Sequence, residues 1–427
     1  MRQSNRFTDL RGLVMGVVPL VLSGCGGGDG GGASTIATTA PPPTAAVVLT
    51  QPSLSAGTGY SLLNKADGTV WGWGTNTSAQ IGIGSIADAP LPVQVTGLSG
   101  TIGIAAGEVR SAALRSDGAV WVWGDNTRGY LGTSSADVCA DSDGRFTLPC
   151  AKTPVQIREL SAARALAGGA SYLAVVKSDG TVWGWGDLYS GGTIGNGVAA
   201  TPNSTARQVA GLQSMQSVAV GSGHALALRN DATVWGWGYN LYGQLGTPVI
   251  GAALPQKVAG LMDVTAIAAG GYQSLALKKD GRVWAWGSNG LQSGSSVATD
   301  LDLSGVSAIT AGDRHAAVLK TDGTVWAWGG NSYGQVGNGS TSDVVAPIQV
   351  TGLADVVAIS AGTRHTLALK SDGSVWAWGN VDPKSVSSID KCTFTQFDTH
   401  GTSPTGKTIV SDLPCAKRPV KVLFPPT

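Results

Sequence analysis

The chain has 427 residues, 63 of them glycine, with 13% charged residues and a formal net charge of +1. No basic stripe accompanies that balance, so nucleic acid has no electrostatic footprint to bind, and no nucleic-acid partner is expected. So many turn-forming glycines on a chain of this length fit an all-β fold with ample sequence to bury a core.

Residues 1–24 read as a secretory signal peptide. Arg2, Arg6 and Arg11 form a basic start, Leu13 to Leu22 is an apolar run too short to span as a stable helix, and small residues follow. The segment ends Leu22-Ser23-Gly24-Cys25. This resembles the bacterial lipoprotein signal, in which the cysteine becomes the acylated N-terminus, and the resemblance implies lipidation at Cys25. Residues 25–46 are Gly-rich, then Thr/Ala-rich, then Pro41-Pro42-Pro43. They cannot pack a core and read as a flexible tether. Acyl chains on Cys25 would hold the protein to a membrane at about 0.8 kcal/mol per buried CH₂. The expected location is the bacterial cell envelope, lipid-anchored at the outer membrane or cell surface.

Residues 47–427 repeat one motif, Trp-x-Trp-Gly, beginning at Trp71, Trp121, Trp183, Trp235, Trp284, Trp326 and Trp376; these pairs hold all 14 tryptophans. In a strand, residues i and i+2 share a face, so each pair sets two indoles side by side. A tight Asp-Gly turn precedes each pair, as at Asp67-Gly68 and Asp322-Gly323, except that the fourth copy reads Asp231-Ala232. Asp-Gly suits a hairpin because Gly accepts positive φ. Before the turn runs an apolar strand such as Ser274 to Lys278. An upstream strand ends Ala269-Gly270, and a downstream strand follows the Pro347-Ile348-Gln349-Val350 pattern. Four strands in each of seven repeats predict a closed, seven-bladed β-propeller of four-stranded blades, monomeric in its closure. A solenoid would need polar capping repeats, and neither end has one. The tryptophans are expected to pack between blades. The bases at the turns, Lys65, Arg115, Lys177, Arg229, Lys278, Lys320 and Lys370, are expected to be solvated charges. The first repeat has no Pro-x-x-Val strand ahead of it, and the last ends with Pro419-Val420-Lys421-Val422. The C-terminal strand is therefore expected to join the first repeat's sheet, because an open ring would leave an unpaired edge.

The full repeat, Ile-Ala-Ala-Gly-x-x-His-Ser-Leu-Ala-Leu-Lys-x-Asp-Gly-x-Val-Trp-Ala-Trp-Gly-x-Asn-x-x-Gly-Gln-Leu-Gly, resembles the regulator of chromosome condensation repeat. Clear instances are Ala219 to Gly246 and Ala311 to Gly337. The resemblance covers roughly Val47 to Phe424 and implies a propeller. Members of that family include guanine nucleotide exchange factors for a nuclear GTPase and secreted bacterial inhibitors that bind β-lactamases. Both kinds bind another protein through a propeller face. Export argues against the nuclear role, and function belongs to sites grafted on a fold.

Beyond Cys25 the chain has Cys139, Cys150, Cys392 and Cys415. Export permits disulfides, and three pairings are possible. Each neighbouring pair lies within one insertion, Asp137 to Ala151 in the second repeat and Asp390 to Ala416 in the seventh. Both insertions end alike, Leu148-Pro149-Cys150-Ala151-Lys152 and Leu413-Pro414-Cys415-Ala416-Lys417. This pairs Cys139 with Cys150 and Cys392 with Cys415. A zinc site is the rival, and the spacings do not suit it. In a closed ring the two cysteine-closed loops would flank blade one.

His224, His315 and His365 occupy one repeat position, where the other copies have Tyr60, Arg110, Tyr172 and Gln273. They read as polar strand-start residues rather than a catalytic or metal triad. No Ser-His-Asp order, phosphate loop, H-E-x-x-H or paired carboxylate appears, so no catalytic residue, metal site or cofactor is expected. The chain direction puts the Ala-Gly turns and the loops after Trp-x-Trp-Gly on one face, with the Asp-Gly turns on the other. Loops on a rigid scaffold carry function, and aromatic and Arg side chains are the usual anchors. The candidate binding residues on the first face are Tyr60, Arg110, Tyr130, Arg145, Phe146, Tyr172, Phe394 and Phe397. The expected function is binding of another protein, as an interaction or inhibitor-like module without catalysis of its own. The alternatives are an enzyme acting on envelope polysaccharide and an exchange-factor-like activity.

Overall fold

A computed structural model describes residues 52–140, 147–188, 194–197, 203–289, 291, 294–397 and 408–425, with the side chains of 203, 393–397 and 408–412 excepted. Seven antiparallel sheets follow one another along the chain, and no helix occurs among the described residues. Blade one comprises Ser53–Ala56, Tyr60–Asn64, Val70–Gly74 and Ala89–Gln94, paired in that order. Five blades have four strands. Blades two and seven add a fifth, Val138–Ala140 and Asp390–Phe397, paired to the outermost strand. The expected cysteine-closed loops are thus β-hairpins extending the sheet.

Each hairpin turn is set by its own side chains. Asp67 Oδ1 accepts from the Thr69 amide at 2.9 Å and from its hydroxyl at 2.6 Å. The Thr69 hydroxyl in turn accepts from Trp71 Nε1 at 3.2 Å. The hydrogen bond from Thr69 holds the exposed Asp67 carboxyl below its ordinary range. In the fourth copy Ala232 adopts φ 64 where the others use glycine, at a cost on the order of 1 kcal/mol. Within the sheet the register is the same in each blade: Tyr60 opposes Gly74 in blade one and His224 opposes Gly238 in blade four. The outermost pairing shifts register at the second tryptophan of every copy, as between Gly72 and Gly74.

The two indoles of each pair have different surroundings. The second, Trp123 or Trp237 for example, is fully buried. In five copies it lies against a glycine in the preceding blade's loop, as Gly82 under Trp123 and Gly195 under Trp237. The first is half-buried and covered by the base at the end of the neighbouring strand. Lys65 Nζ stands 3.9 Å from the Trp71 ring centre and Lys320 Nζ 4.3 Å from that of Trp326. The expectation of solvated turn charges is corrected here. The cations cap indole faces, which contributes about 0.5–1 kcal/mol apiece at exposed sites. Arg115 differs, pairing with Asp117 at 3.3 Å.

Ring closure also differs from the expectation. Thr408–Lys421 pairs with Val375–Gly379 and with Asp390–Phe397, and Val422 bridges Val386, all inside blade seven. Blade one owns its innermost strand, Leu54-Ser55-Ala56, which departs from the Ile-Ala-Ala pattern of the other copies. The argument from unpaired edges fails because every blade ends in an edge strand facing outward. Prolines blunt these edges: Pro90 and Pro92 in blade one, Pro255 in blade four, Pro347 in blade six. Side chains and single hydrogen bonds close the ring. The Ala56 amide donates to Ser360 Oγ at 3.0 Å. Phe424 meets Trp71 and Trp73 edge-on, at 6.3 and 6.5 Å between ring centres.

Around the channel the blades meet backbone to backbone. Gly57, Gly107, Gly169, Gly221, Gly270, Gly312 and Gly362 each face the carbonyl oxygen of the equivalent glycine in the next blade. The residue after the glycine can donate to that oxygen, as Thr58 does to Gly107 at 3.3 Å and Ser222 to Gly270 at 3.1 Å. A methyl carbon at Gly57 would lie 2.7 Å from the Gly107 oxygen, and one at Gly362 would lie 2.5 Å from the Gly57 oxygen. Gly362→Ala at the closing junction is therefore expected to destabilise by about 1–3 kcal/mol through overpacking. Gly103→Ala, whose added methyl would meet only Leu114 at 3.7 Å, should change stability by less than about 0.5 kcal/mol. Thermal unfolding followed by circular dichroism separates the two, and equal stability of both variants would contradict the ring.

Candidate functional site

The repeat position that begins the second strand holds Tyr60, Arg110, Tyr172, His224, Gln273, His315 and His365, and all seven are buried. The expectation that Tyr60, Arg110 and Tyr172 project from a binding face is corrected, because these side chains fill the space between blades. Tyr60 donates its hydroxyl to the Arg110 carbonyl at 2.6 Å, and Tyr172 donates to the Ile194 carbonyl at 3.0 Å. Burial pushes both phenols well above their ordinary range. The Arg110 guanidinium pairs with Asp125 at 3.5 Å and lies 4.6 Å over the Tyr130 ring centre. Burial holds its pKa below the usual value, with Asp125 opposing. Gln273 donates to the His315 carbonyl at 2.8 Å.

Each histidine contacts a hydroxyl on the following blade: His224 and Ser274 at 2.8 Å, His315 and Thr366 at 2.8 Å, His365 and Ser61 at 3.0 Å. Ser274 Oγ donates to the Gln244 carbonyl at 2.7 Å, and Thr366 Oγ1 to the Gln335 carbonyl at 2.9 Å. Those hydroxyls have spent their proton, so the Nε2 of His224 and of His315 must carry one and donate. That assignment leaves Nδ1 as a bare acceptor, and Nδ1 of all three rings is buried without a partner. A second proton would be a buried cation with nothing to pair it. Burial accordingly lowers His224 and His315 to about 3 and His365 to about 4. The unfolded chain, near 6.5, binds protons first as pH falls. Stability is then complete above pH 6.5 and is lost on acidification toward pH 4, with each ring contributing up to about 1.4 kcal/mol per pH unit. Urea titrations between pH 7 and 4.5 should show this slope, and His224→Gln should reduce it by about a third. An unchanged slope in the variant would refute the assignment.

The channel opens on the face of the Ala-Gly turns as a cavity of about 710 Å³. Backbone from all seven turns lines it, together with Glu108, Arg128, Tyr130, Asp187, Tyr272, Asp313 and Arg364. Tyr130, a candidate from the sequence, is mostly buried in the wall. Its hydroxyl donates to Asp187 at 3.3 Å and receives Arg128 at 3.3 Å. The three acids stand on blades two, three and six. Burial raises the Asp313 carboxyl above its ordinary range, with Arg314 and Arg364 opposing. Among the described residues no group of three or more His, Cys, Asp or Glu could hold a metal ion.

Blades four and five carry a feature that the sequence reading missed. The loop after the fourth Trp-x-Trp-Gly reads Tyr239-Asn240-Leu241-Tyr242, and blade five turns at Gly270-Gly271-Tyr272. The three rings cluster, with Tyr242 and Tyr272 at 4.8 Å, Tyr239 and Tyr272 at 5.9 Å, and Tyr239 and Tyr242 at 6.3 Å between centres. Leu241 is 60% exposed and Ile250, at the far end of the same loop, 76%. Asn240 braces the loop by donating to the Thr247 carbonyl at 2.9 Å and accepting from Leu245 at 2.7 Å. The available signal was that the fourth repeat alone places two tyrosines in this loop.

Both disulfides are formed, Cys139–Cys150 and Cys392–Cys415, each with 5.8 Å between Cα atoms. The blades that carry the two hairpins stand on either side of blade one. Each hairpin leans on the blade before it, since Gly84 of blade one donates to Lys152 at 2.8 Å and Gly339 of blade six donates to Lys417 at 2.8 Å. Cys25, Arg145 and Phe146, and the side chains of Phe394 and Phe397, lie outside the described residues.

The geometry defines a seven-bladed propeller with an open channel mouth and an aromatic rim on two blades. The chain carries regulator of chromosome condensation (RCC1) repeats, matched by one model of that repeat at residues 67–114, 231–277 and 322–369, and by a second at 102–129, 215–244, 264–292 and 306–335. It is 30% identical over 201 residues to the Ultraviolet-B receptor UVR8 of Arabidopsis thaliana, covering 45% of this chain and 42% of the receptor. It is 27% identical over 196 residues to the E3 ubiquitin-protein ligase HERC2 of Homo sapiens, covering 44% of this chain and 4% of the ligase. The chain thus spans less than half the length of these relatives. In fold it is similar to yeast RCC1 (Prp20) in its complex with Kap60, with a TM-score of 0.66 and 20% identity over 88% of this chain and 85% of that one.

Proposed function

We propose that this propeller binds another protein through the face bearing the channel mouth and performs no catalysis of its own. The exposed side chains of Leu241, Tyr242, Ile250 and Tyr272, with the half-buried Tyr239 packed on the two tyrosines, carry the reading. Exposed apolar patches beside a polar rim mark interaction surfaces, and tyrosines are favoured anchors. The repeat family is one of protein-binding modules, which supports the same conclusion. The surface proposed here lies on blades four and five.

We further propose that the chain is exported and lipid-anchored in the bacterial envelope through Cys25, a reading supported by Leu22-Ser23-Gly24-Cys25 and the tether of residues 25–46. Cys25→Ser should shift the protein out of the membrane fraction or block its maturation. Unchanged fractionation would remove the anchor from this account.

The binding surface is tested with the full chain and a partner recovered by cross-linking. Replacing Leu241 and Tyr242 together by Ala should weaken that complex by about 2 kcal/mol or more, roughly 30-fold, if one is a hot spot. Asp322→Ala, at a hairpin turn on the opposite face, should leave affinity unchanged. Loss at Asp322 with none at the pair would place the surface on the other face.

A further inference from the structure

We infer that the channel mouth beside Tyr272 receives a guanidinium: an arginine side chain carried on a protruding loop of the partner, held between the tyrosine cluster and the Asp313 carboxylate. The inference rests on the protein-binding reading above and specifies what fills the hole in that face. Tyr272 joins the two features, since its ring belongs to the cluster and also lines the cavity. On the adjoining turn, blade six contributes Asp313 to the lining of the same cavity. That carboxylate is folded against Gly271, so closely that a methyl added at Gly271 would collide with its Oδ1. Gly271 directly precedes Tyr272, so the acid and the tyrosine stand on adjoining turns of the mouth.

Arg314 and Arg364 favour the Asp313 carboxylate, but neither forms an ion pair with it among the described residues. The Arg364 guanidinium lies 4.7 Å over the Tyr333 ring centre. Arg128 stands on blade two and donates to Tyr130. No charged side chain of blade four or five lines the cavity. The raised pKa of the Asp313 carboxyl agrees that burial outweighs the help it receives from Arg314 and Arg364.

A cation entering here would restore what burial removes. Guanidinium fits better than ammonium for two reasons. Its flat faces stack on tyrosine rings, as Arg364 already does on Tyr333 and Arg110 on Tyr130. Its fork also bonds both oxygens of a carboxylate, where an ammonium acts as a point charge. A cavity of about 710 Å³ holds such a side chain with its supporting turn.

The test uses the full chain and three capped peptides, acetyl-Gly-Phe-X-Gly-amide, in which X is arginine, citrulline or glutamate. Citrulline keeps the shape of arginine and removes its charge. Calorimetric titration should show the arginine peptide binding about tenfold or more tighter than the citrulline peptide, and the glutamate peptide weakest. Asp313→Asn, which keeps the side chain's size, should abolish the preference for arginine over citrulline. Tyr242→Ala should weaken the arginine peptide as well. Equal binding of arginine and citrulline peptides, a preference that survives Asp313→Asn, or no binding by any peptide overturns the inference. Those outcomes leave the protein-binding reading standing if the partner complex still depends on Leu241 and Tyr242. Should that complex ignore both residues, the broader reading fails whatever the peptides do.

Discussion

Each blade approaches the next at the channel with a glycine Cα set against a carbonyl oxygen, seven times around the ring. The separation leaves no room for a methyl group, so the blades share a backbone interface as well as a side-chain one. Further out the same junction is filled by the second tryptophan of each pair, which in five copies rests on a loop glycine of the blade before it. Between these two layers sits a polar layer of His, Tyr, Arg or Gln. In three junctions a ring nitrogen, a hydroxyl and a loop carbonyl, or the first two of them, connect neighbours. Packing is close at all depths, which is the ordinary condition of a protein interior. What is distinctive here is that one short repeat supplies every layer.

Much of this was legible in the sequence, and the reasons are local. Trp-x-Trp-Gly at strand spacing, with an Asp-Gly turn before it, fixes a hairpin and its register, because both depend on residues within one repeat. The disulfides were legible because each pair shares an insertion with a twin elsewhere in the chain. The buried position of Tyr60, Arg110 and Tyr172 was not legible. Their side chains are polar and vary between repeats, which resembles a surface, yet each one finds a polar partner in the interior: Tyr60 on the next blade, Arg110 and Tyr172 on their own. Blade one's innermost strand was hidden for a different reason: Leu54-Ser55-Ala56 departs from the pattern of its equivalents, and its pairing to Tyr60–Asn64 is a matter of backbone alone.

The tyrosine cluster shows where periodic reasoning stops. A repeat analysis looks for what recurs, and function on a repeat scaffold sits where one copy departs from the rest. Tyr239 and Tyr242 belong to blade four, Tyr272 to blade five, and they meet only because the loop of one blade and the turn of the next emerge on the same face. Spacing along the chain, 30 residues from Tyr242 to Tyr272, says nothing of the 4.8 Å between their rings.

A ring in which each repeat folds as one complete blade has no privileged seam. Six junctions are crossed by the chain and the seventh, between blades seven and one, is bridged by Phe424 on Trp71 and Trp73 and by the same glycine-to-carbonyl approach as the others. No strand is borrowed across the gap. Such a wheel could be cut at any outer loop and rejoined at its ends with its contacts intact, so the order of the blades along the chain is free of the contacts that hold them.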